Sequence, residues 1–259
     1  MKVVILCGGL GMRIREETEL RPKPMIEVGG QPILWHIMKI YSHYGFKEFV
    51  LCLGYKAWVI RRYFLDYHVM QGDATLHLGS PTRVELHSHH DAEDWKVTLA
   101  DTGLNTFTAL RIKQIEKYID GDDFMLTYGD GVANVNIADL LAFHKKHGKI
   151  ATVTAVHPSS RWGELILEGG RVTQFLEKPQ LAEGYINGGF FVLNRRVFDY
   201  LGDDPTVPFE RAPMTSLCAD GELVAYPHDG YWQAMDTLRD LQLLNEEWAS
   251  DRPAWKIWS

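Results

Sequence analysis

The chain has 259 residues, 46% hydrophobic and 24% charged, a balance that fits a globular protein large enough to fold as one α/β domain. Its formal net charge of -7 excludes general affinity for nucleic acid or an anionic membrane, while leaving room for a local basic pocket. No run approaches the roughly 20 apolar residues of a membrane span, and only Val3 to Cys7 are apolar behind Met1-Lys2, too few for a secretory signal.

Three cysteines, Cys7, Cys52 and Cys218, are too few for a disulfide frame and point to a reducing compartment. The expectation is a cytoplasmic protein with a single domain over residues 1–259.

Val3 to Leu6 reads as a buried strand that runs straight into Gly8, Gly9 and Gly11. Glycine permits the backbone angles and close approach that a Cβ forbids, so such a loop can turn successive N–H groups onto an anion. Arg13 and Lys23 add full positive charge close by, and the ligand this suggests is a polyphosphate. A Walker A loop would need Gly-Lys-Ser/Thr where Arg13-Ile14-Arg15 stands, and a dinucleotide fingerprint would need a small residue at Ile14. Neither template fits.

Pro32 then opens a helix carrying Ile33, Leu34, Ile37, Met38 and Tyr41, ended by Gly45. Lys47 to Leu53 reads as a second buried strand, and a helix follows from Ala57 to Tyr67. Strand, helix, strand, helix is the grammar of a parallel sheet with right-handed crossovers. The histidines His77, His87, His89 and His90 fall in a stretch whose alternation suits an exposed hairpin, and no spacing supports a metal site there. Leu104 to Arg111 reads as a loop, ahead of a helix through Ile112, Ile115 and Tyr118.

Asp122 to Tyr128 is the next strong strand and ends in Gly129-Asp130-Gly131. A carboxylate between glycines at such a strand end is well placed to face a ligand crevice; a turn aspartate bonding its own backbone is the plain alternative. Further on come a helix over Ile137 to His147 and a strand over Ala151 to Val156. A hairpin from Arg161 to Phe175 turns at Gly169-Gly170 and delivers Glu177-Lys178-Pro179. A strand over Phe190 to Leu193, a helix over Arg195 to Leu201 and a strand over Leu223 to Tyr226 follow. The tail carries Trp248, Trp255 and Trp258 and should pack on the body or on a neighbouring subunit.

Gly8-Gly9-Leu10-Gly11-Met12-Arg13 with Pro22-Lys23-Pro24-Met25 resembles the signature of the sugar-1-phosphate nucleotidylyltransferases. Trp35 to Lys39, the Gly129-Asp130-Gly131 turn, Glu177-Lys178-Pro179, Ile186 to Asn194, Met235 to Asp240 and Ala254 to Trp258 extend the likeness over nearly the whole chain. Within the family, the first and fifth of these stretches resemble the branch that makes CDP-glucose from CTP and α-D-glucose 1-phosphate.

The resemblance implies a Rossmann-like three-layer α/β fold with a mostly parallel central sheet and small β-hairpin insertions. It also implies a homo-oligomer, up to a hexamer. It implies Mg2+ between Asp130 and Asp236, with Arg13 and Lys23 neutralising nucleotide phosphates and Lys178 binding the phosphate of the sugar. Glu177, Asn187, Gly163 and Tyr128 would lie near the hexose. Leu6, Gly8, Gly9, Leu10, Gly11, Met12, Thr106, Arg111 and Gly129 would meet the nucleotide.

Each role has a plain counterpart: Lys178 as a solvated turn lysine, Asp236 as a helix cap, Arg111 paired with Glu116 or solvent. The chain also departs from the family pattern, with Met12 where a threonine is usual, Ala109-Leu110 in place of Gly-Gly, and Ala234 in place of a common proline. Two other functions therefore stay open, cytidylyl transfer to another phosphorylated acceptor and a non-catalytic nucleotide or sugar-phosphate sensor.

Overall fold

In the strand Lys2–Leu6 (β1), successive side chains enter two different cores: Val3 and Ile5 pack into one and Val4 and Leu6 into the other. The next strand, Glu48–Leu53 (β2), divides in the same way, with Phe49, Leu51 and Leu53 on one side and Val50 and Cys52 on the other. Residues apolar at both phases of a period-two element must be covered on both faces, and that is why the sheet is the middle of three layers. The computed structural model describes residues 1–81, 83–87, 93–157, 164–168, 171–176 and 184–258.

One layer contains the helices Ile33–His43 (α1) and Ala57–Leu65 (α2) together with Trp255 and Trp258 of the tail. The opposite layer is built from the helix Thr108–Gln114 (α3), Phe198, Phe209 and Leu217. Between them β1 pairs in parallel with β2 and with the strand Asp123–Tyr128, and β2 pairs in parallel with Lys96–Asp101. Numbering the strands in chain order makes Ala74–His77 β3, Arg83–Leu86 β4, Lys96–Asp101 β5, Asp123–Tyr128 β6, Gly131–Ala133 β7 and Ala151–Val156 β8. Glu164–Glu168 and Arg171–Leu176 are β9 and β10, Ile186–Asn187 is β11, Phe191–Asn194 is β12, Leu223–His228 is β13 and Trp232–Ala234 is β14.

β12 runs against both of its neighbours, β6 and β8, and β8 pairs in parallel with β13 at the far edge. The fold is therefore Rossmann-like, with an eight-stranded, mostly parallel sheet and hairpins β3/β4 and β9/β10 set off from it.

The helix Ile137–His147 (α4) keeps its expected bounds because its ends are chemically marked. Asn136 Oδ1 accepts from the N–H groups of Ala138 and Asp139 at one end, and Gly148 takes a left-handed turn at the other. Other expectations need correction. Leu104 to Arg111 is not a loop throughout, since α3 starts at Thr108 and already contains Ala109, Leu110 and Arg111. Arg195–Tyr200 is a 3-10 helix, and the helix Ala212–Ala219 (α5), which begins on a proline turn, was not anticipated. The Gly169-Gly170 turn, Arg161, Trp162 and Pro179 lie outside the described residues. So do Gly163, Glu177, Lys178, His89 and His90.

The C-terminal segment packs on the body of the chain. Trp255 is fully buried, stacked on Tyr231 and on Trp248 of the last helix, Leu238–Trp248 (α6), at 5.7 and 5.9 Å between ring centres. Its Nε1–H points to His36 Nδ1 at 3.5 Å, while His36 Nε2 bonds the Val28 carbonyl at 2.9 Å. Among the described residues no helix is long and apolar enough to cross a membrane.

Candidate active site

The glycine loop is fixed at the C-terminal edge of the sheet by its neighbours on both sides. Cys7 N–H donates to Cys52 O at 3.0 Å and Gly129 N–H donates to Leu6 O at 3.1 Å. Gly11 sits in the left-handed region at φ 63, where a side chain would also press on Thr18. A Cβ at Gly9, by contrast, would meet nothing within 4 Å, so that glycine leaves the floor of the cleft open.

Lys23 stands in a 3-10 turn between Pro22 and Pro24, and the Pro24 ring packs beneath Gly129, where an added Cβ would come within 2.9 Å of its Cγ. Asp130 follows β6 directly, whereas Asp236 comes from more than a hundred residues later in the sequence. A short ladder unites them: β14 pairs with β7, and Met235 N–H donates to the Asp130 carbonyl at 2.8 Å.

The two carboxylates converge on a single ammonium group. Lys23 Nζ lies 2.6 Å from Asp130 Oδ2 and 2.7 Å from Asp236 Oδ1, and Arg13 Nη1 approaches Asp236 Oδ2 at 3.0 Å. Burial pulls the Lys23 pKa down, but its two carboxylate partners outweigh that and hold it above the ordinary lysine value. Burial likewise works to raise the Asp236 pKa, and Lys23 and Arg13 together bring it below the usual carboxylate range. Asp236 is not the cap of α6. Thr237 and Asp240 form that capping box between themselves, leaving the Asp236 side chain to the cleft.

These groups open into a cleft of about 580 Å³. Leu6, Gly8, Gly9, Leu10, Gly11, Met12, Arg13, Lys23, Thr106, Arg111, Tyr128, Gly129, Asp130 and Asp236 all line it. Asn187 joins the cleft through its bond to Tyr128, donating from Nδ2 to Tyr128 Oη at 3.0 Å. Leu104, Asn105, Phe107 and Thr108 also line the wall and were not singled out from the sequence, although the Leu-Asn-Thr-Phe-Thr run after Gly103 marks an ordered polar turn.

Arg111 is nearly buried and pairs with neither Glu116 nor solvent. Its guanidinium donates to the carbonyls of Leu53 at 3.1 Å and Gly8 at 3.1 Å and to Thr102 Oγ1 at 2.7 Å. Burial lowers its pKa. Ala109-Leu110 sit inside the helix that carries this arginine and favour helix there, where Gly-Gly would not.

A glycine loop, paired cations and two carboxylates at the mouth of an open α/β sheet make a site for a polyphosphate and a hard cation. The sequence model of the nucleotidyl transferase family matches residues 2–250. The chain belongs to the nucleotidyl transferase family. This nucleotidyl transferase is 49% identical over 259 residues to the glucose-1-phosphate cytidylyltransferase of Salmonella typhi, with 100% of both chains covered. It is 49% identical, again with 100% of both chains covered, to the enzyme of the same name from Salmonella typhimurium. Among solved structures, HddC from Yersinia pseudotuberculosis matches with a TM-score of 0.68 at 22% identity, covering 95% of this chain and 99% of that one, a likeness of fold alone.

Nucleotidyl transferases of this kind generally use a divalent metal ion. Among the described residues no group of three or more His, Cys, Asp and Glu side chains is gathered to hold one. The donors that do converge, Asp130 and Asp236, are close enough to share one cation, as their common contact with Lys23 shows. Two carboxylates that leave the remaining positions to phosphates and water suit a small hard cation.

Proposed function

We propose that the chain transfers the cytidylyl group of CTP to α-D-glucose 1-phosphate, giving CDP-glucose and pyrophosphate. The observation that carries this reading is the convergence of Lys23, Asp130 and Asp236 at the mouth of the glycine-lined cleft. The full-length likeness to glucose-1-phosphate cytidylyltransferases supports the choice of base and acceptor.

In the reaction an oxygen of the sugar phosphate attacks the α-phosphorus of the nucleotide. The new P–O bond forms as the bond to the bridging oxygen breaks, and pyrophosphate leaves with that electron pair. Repulsion between two anions is the main obstacle, so placed positive charge and orientation supply the catalysis and no protein nucleophile is needed. Arg13 and Lys23 hold the triphosphate in line and offset its charge. The backbone from Leu6 to Gly11, with Met12, Thr106 and Gly129, shapes the nucleotide side, and Arg111 braces it from below.

Tyr128 and Asn187 face the hexose, and Glu177, Lys178 and Gly163 complete that side in this reading. Asp130 and Asp236 would hold Mg2+, which when bound adds positive charge at the phosphates. The same reading includes one nucleotidyltransferase domain over residues 1–259, a cytoplasmic location and a homo-oligomer, hexamer included.

A matrix of CTP, UTP, dTTP and GTP against glucose 1-phosphate and other sugar phosphates, scored by pyrophosphate release with Mg2+ present, tests the proposal. CTP with glucose 1-phosphate should give the highest kcat/KM. Turnover only with another pair, or CTP binding without turnover of any acceptor, would overturn it.

A further inference from the structure

Six residues on the sugar side of the cleft are joined by five hydrogen bonds whose direction can be read from end to end. Gly189 N–H donates to Asn187 Oδ1 at 2.9 Å, which sets the amide so that Nδ2 donates to Tyr128 Oη at 3.0 Å. The Tyr128 hydroxyl then donates to Glu210 Oε1 at 2.7 Å. From the other side, Thr108 Oγ1 accepts from Phe209 N–H at 2.7 Å and donates to Glu210 Oε2 at 2.8 Å. A carboxylate only accepts, so both hydroxyl protons end on Glu210.

The backbone around Glu210 is anchored. Phe107 N–H donates to Pro205 O at 2.7 Å, and the fully buried Phe209 packs edge-on against Phe191 with ring centres 5.8 Å apart. Glu210 is itself exposed, and it is presented to Tyr128 and Thr108 by a strut tied to the front of α3.

We propose that Glu210 is a positioning residue for the sugar half of the acceptor. By accepting the hydrogen bond of the Tyr128 hydroxyl it leaves the tyrosine oxygen as an acceptor, with one lone pair filled by Asn187 and one left for a ligand. Asn187 keeps a second amide hydrogen beside it. An acceptor next to a donor fits a group that does both, such as a sugar hydroxyl, and does not fit a phosphate, which the nearby carboxylate repels.

The inference rests on the function proposed above and goes beyond it in assigning one residue and one kind of recognition. The test is steady-state kinetics with CTP, glucose 1-phosphate and its monodeoxy analogues, on wild type, Glu210→Ala, Glu210→Gln, Tyr128→Phe and the Glu210→Ala/Tyr128→Phe double variant. Glu210→Ala should raise the KM for glucose 1-phosphate about tenfold, the loss of roughly one net hydrogen bond, with kcat and the KM for CTP within about twofold of wild type. Glu210→Gln should regain most of the loss, because its carbonyl can still accept the hydrogen bond of the Tyr128 hydroxyl while its amide donates to Thr108 Oγ1.

The double variant should be no worse than Tyr128→Phe alone, the mark of a residue acting through another. One monodeoxy analogue should be penalised by wild type and no longer penalised by Glu210→Ala. An unchanged KM for glucose 1-phosphate in Glu210→Ala, an equal rise in the KM for CTP, or additive losses in the double variant would overturn the inference alone. A wild type that ignores glucose 1-phosphate would overturn the proposed function along with it.

Discussion

The guanidinium of Arg111 fills the space that a side chain at residue 8 would need, so Gly8 and Arg111 are parts of one fitting. A Cβ at Gly8 would overlap the guanidinium itself, and one at Gly54 would come within 2.7 Å of it. The arginine in turn holds the carbonyls of Gly8 and Leu53, tying the glycine loop to the end of β2. Gly8→Ala should therefore expel the guanidinium and leave those carbonyls short of a partner. We expect a loss of about 3 kcal/mol, read by urea unfolding, and a weaker CTP affinity by calorimetry. A stable Gly8→Ala protein with native CTP affinity would contradict the coupling.

Lys23 and its two aspartates should separate chemistry from folding. Asp236→Asn removes one carboxylate from the shared cation position but leaves the capping box of α6 intact, since Thr237 and Asp240 make it alone. Pyrophosphate release should fall by about a hundredfold or more. The thermal midpoint should move by no more than about 3 °C. A large drop in midpoint with unchanged kcat would reverse the assignment.

Chelation bears on the same pair. Treating the protein with excess EDTA should abolish turnover, and returning Mg2+ should restore it, while the far-ultraviolet circular dichroism spectrum stays constant. The fold is held by its two apolar cores and does not depend on Asp130 and Asp236. Full activity in EDTA would remove the cation from the mechanism.

His36 gives a pH dependence of stability with a definite sign. Burial lowers its pKa from 6.5 to about 4, so between these values the unfolded chain binds the proton and the folded one does not. Stability from this group is complete above about pH 6.5, declines as the pH falls, and is reduced by about 3 kcal/mol once below about pH 4. Urea unfolding of wild type and His36→Gln between pH 7.5 and 4.5 should show a decline that is shallower in the variant. Parallel curves would exclude the histidine as its source.

Trp255 closes the same aromatic cluster, and Trp255→Ala should cost about 3 to 5 kcal/mol, measured by denaturant midpoint. A cost below about 1 kcal/mol would mean that the tail is not part of the core.

The strands and α4 were legible in the sequence because their signals are local: apolar runs for β1, β2 and β6, and a cap and a glycine for α4. The loop residues of the cleft were also visible, since Gly8, Gly11 and Lys23 sit within one short stretch. What stayed hidden depends on partners distant in sequence. No local pattern shows that Arg111 will be spent on carbonyls of Gly8 and Leu53, or that Glu210 will meet Tyr128 across 82 positions. The start of α3 was misjudged because Thr108 is both its first residue and a ligand of Glu210, a polar residue that imitates loop chemistry. α5 was missed because it follows an irregular stretch and has no clear apolar stripe around its two buried residues, Pro213 and Leu217.

The reversal of β12 has an evolutionary consequence. Val156 at the end of β8 pairs with Ile186 at the start of β11, so the chain between them departs from and rejoins the frame at one rim, the rim where Asn187 meets Tyr128. Among the described residues that excursion carries only the register of its own hairpin, β9 with β10, and no strand of the central sheet. Under the proposed function, a lineage could try new acceptors there by swapping a single cassette while the glycine loop, Lys23 and the two aspartates stayed as they are.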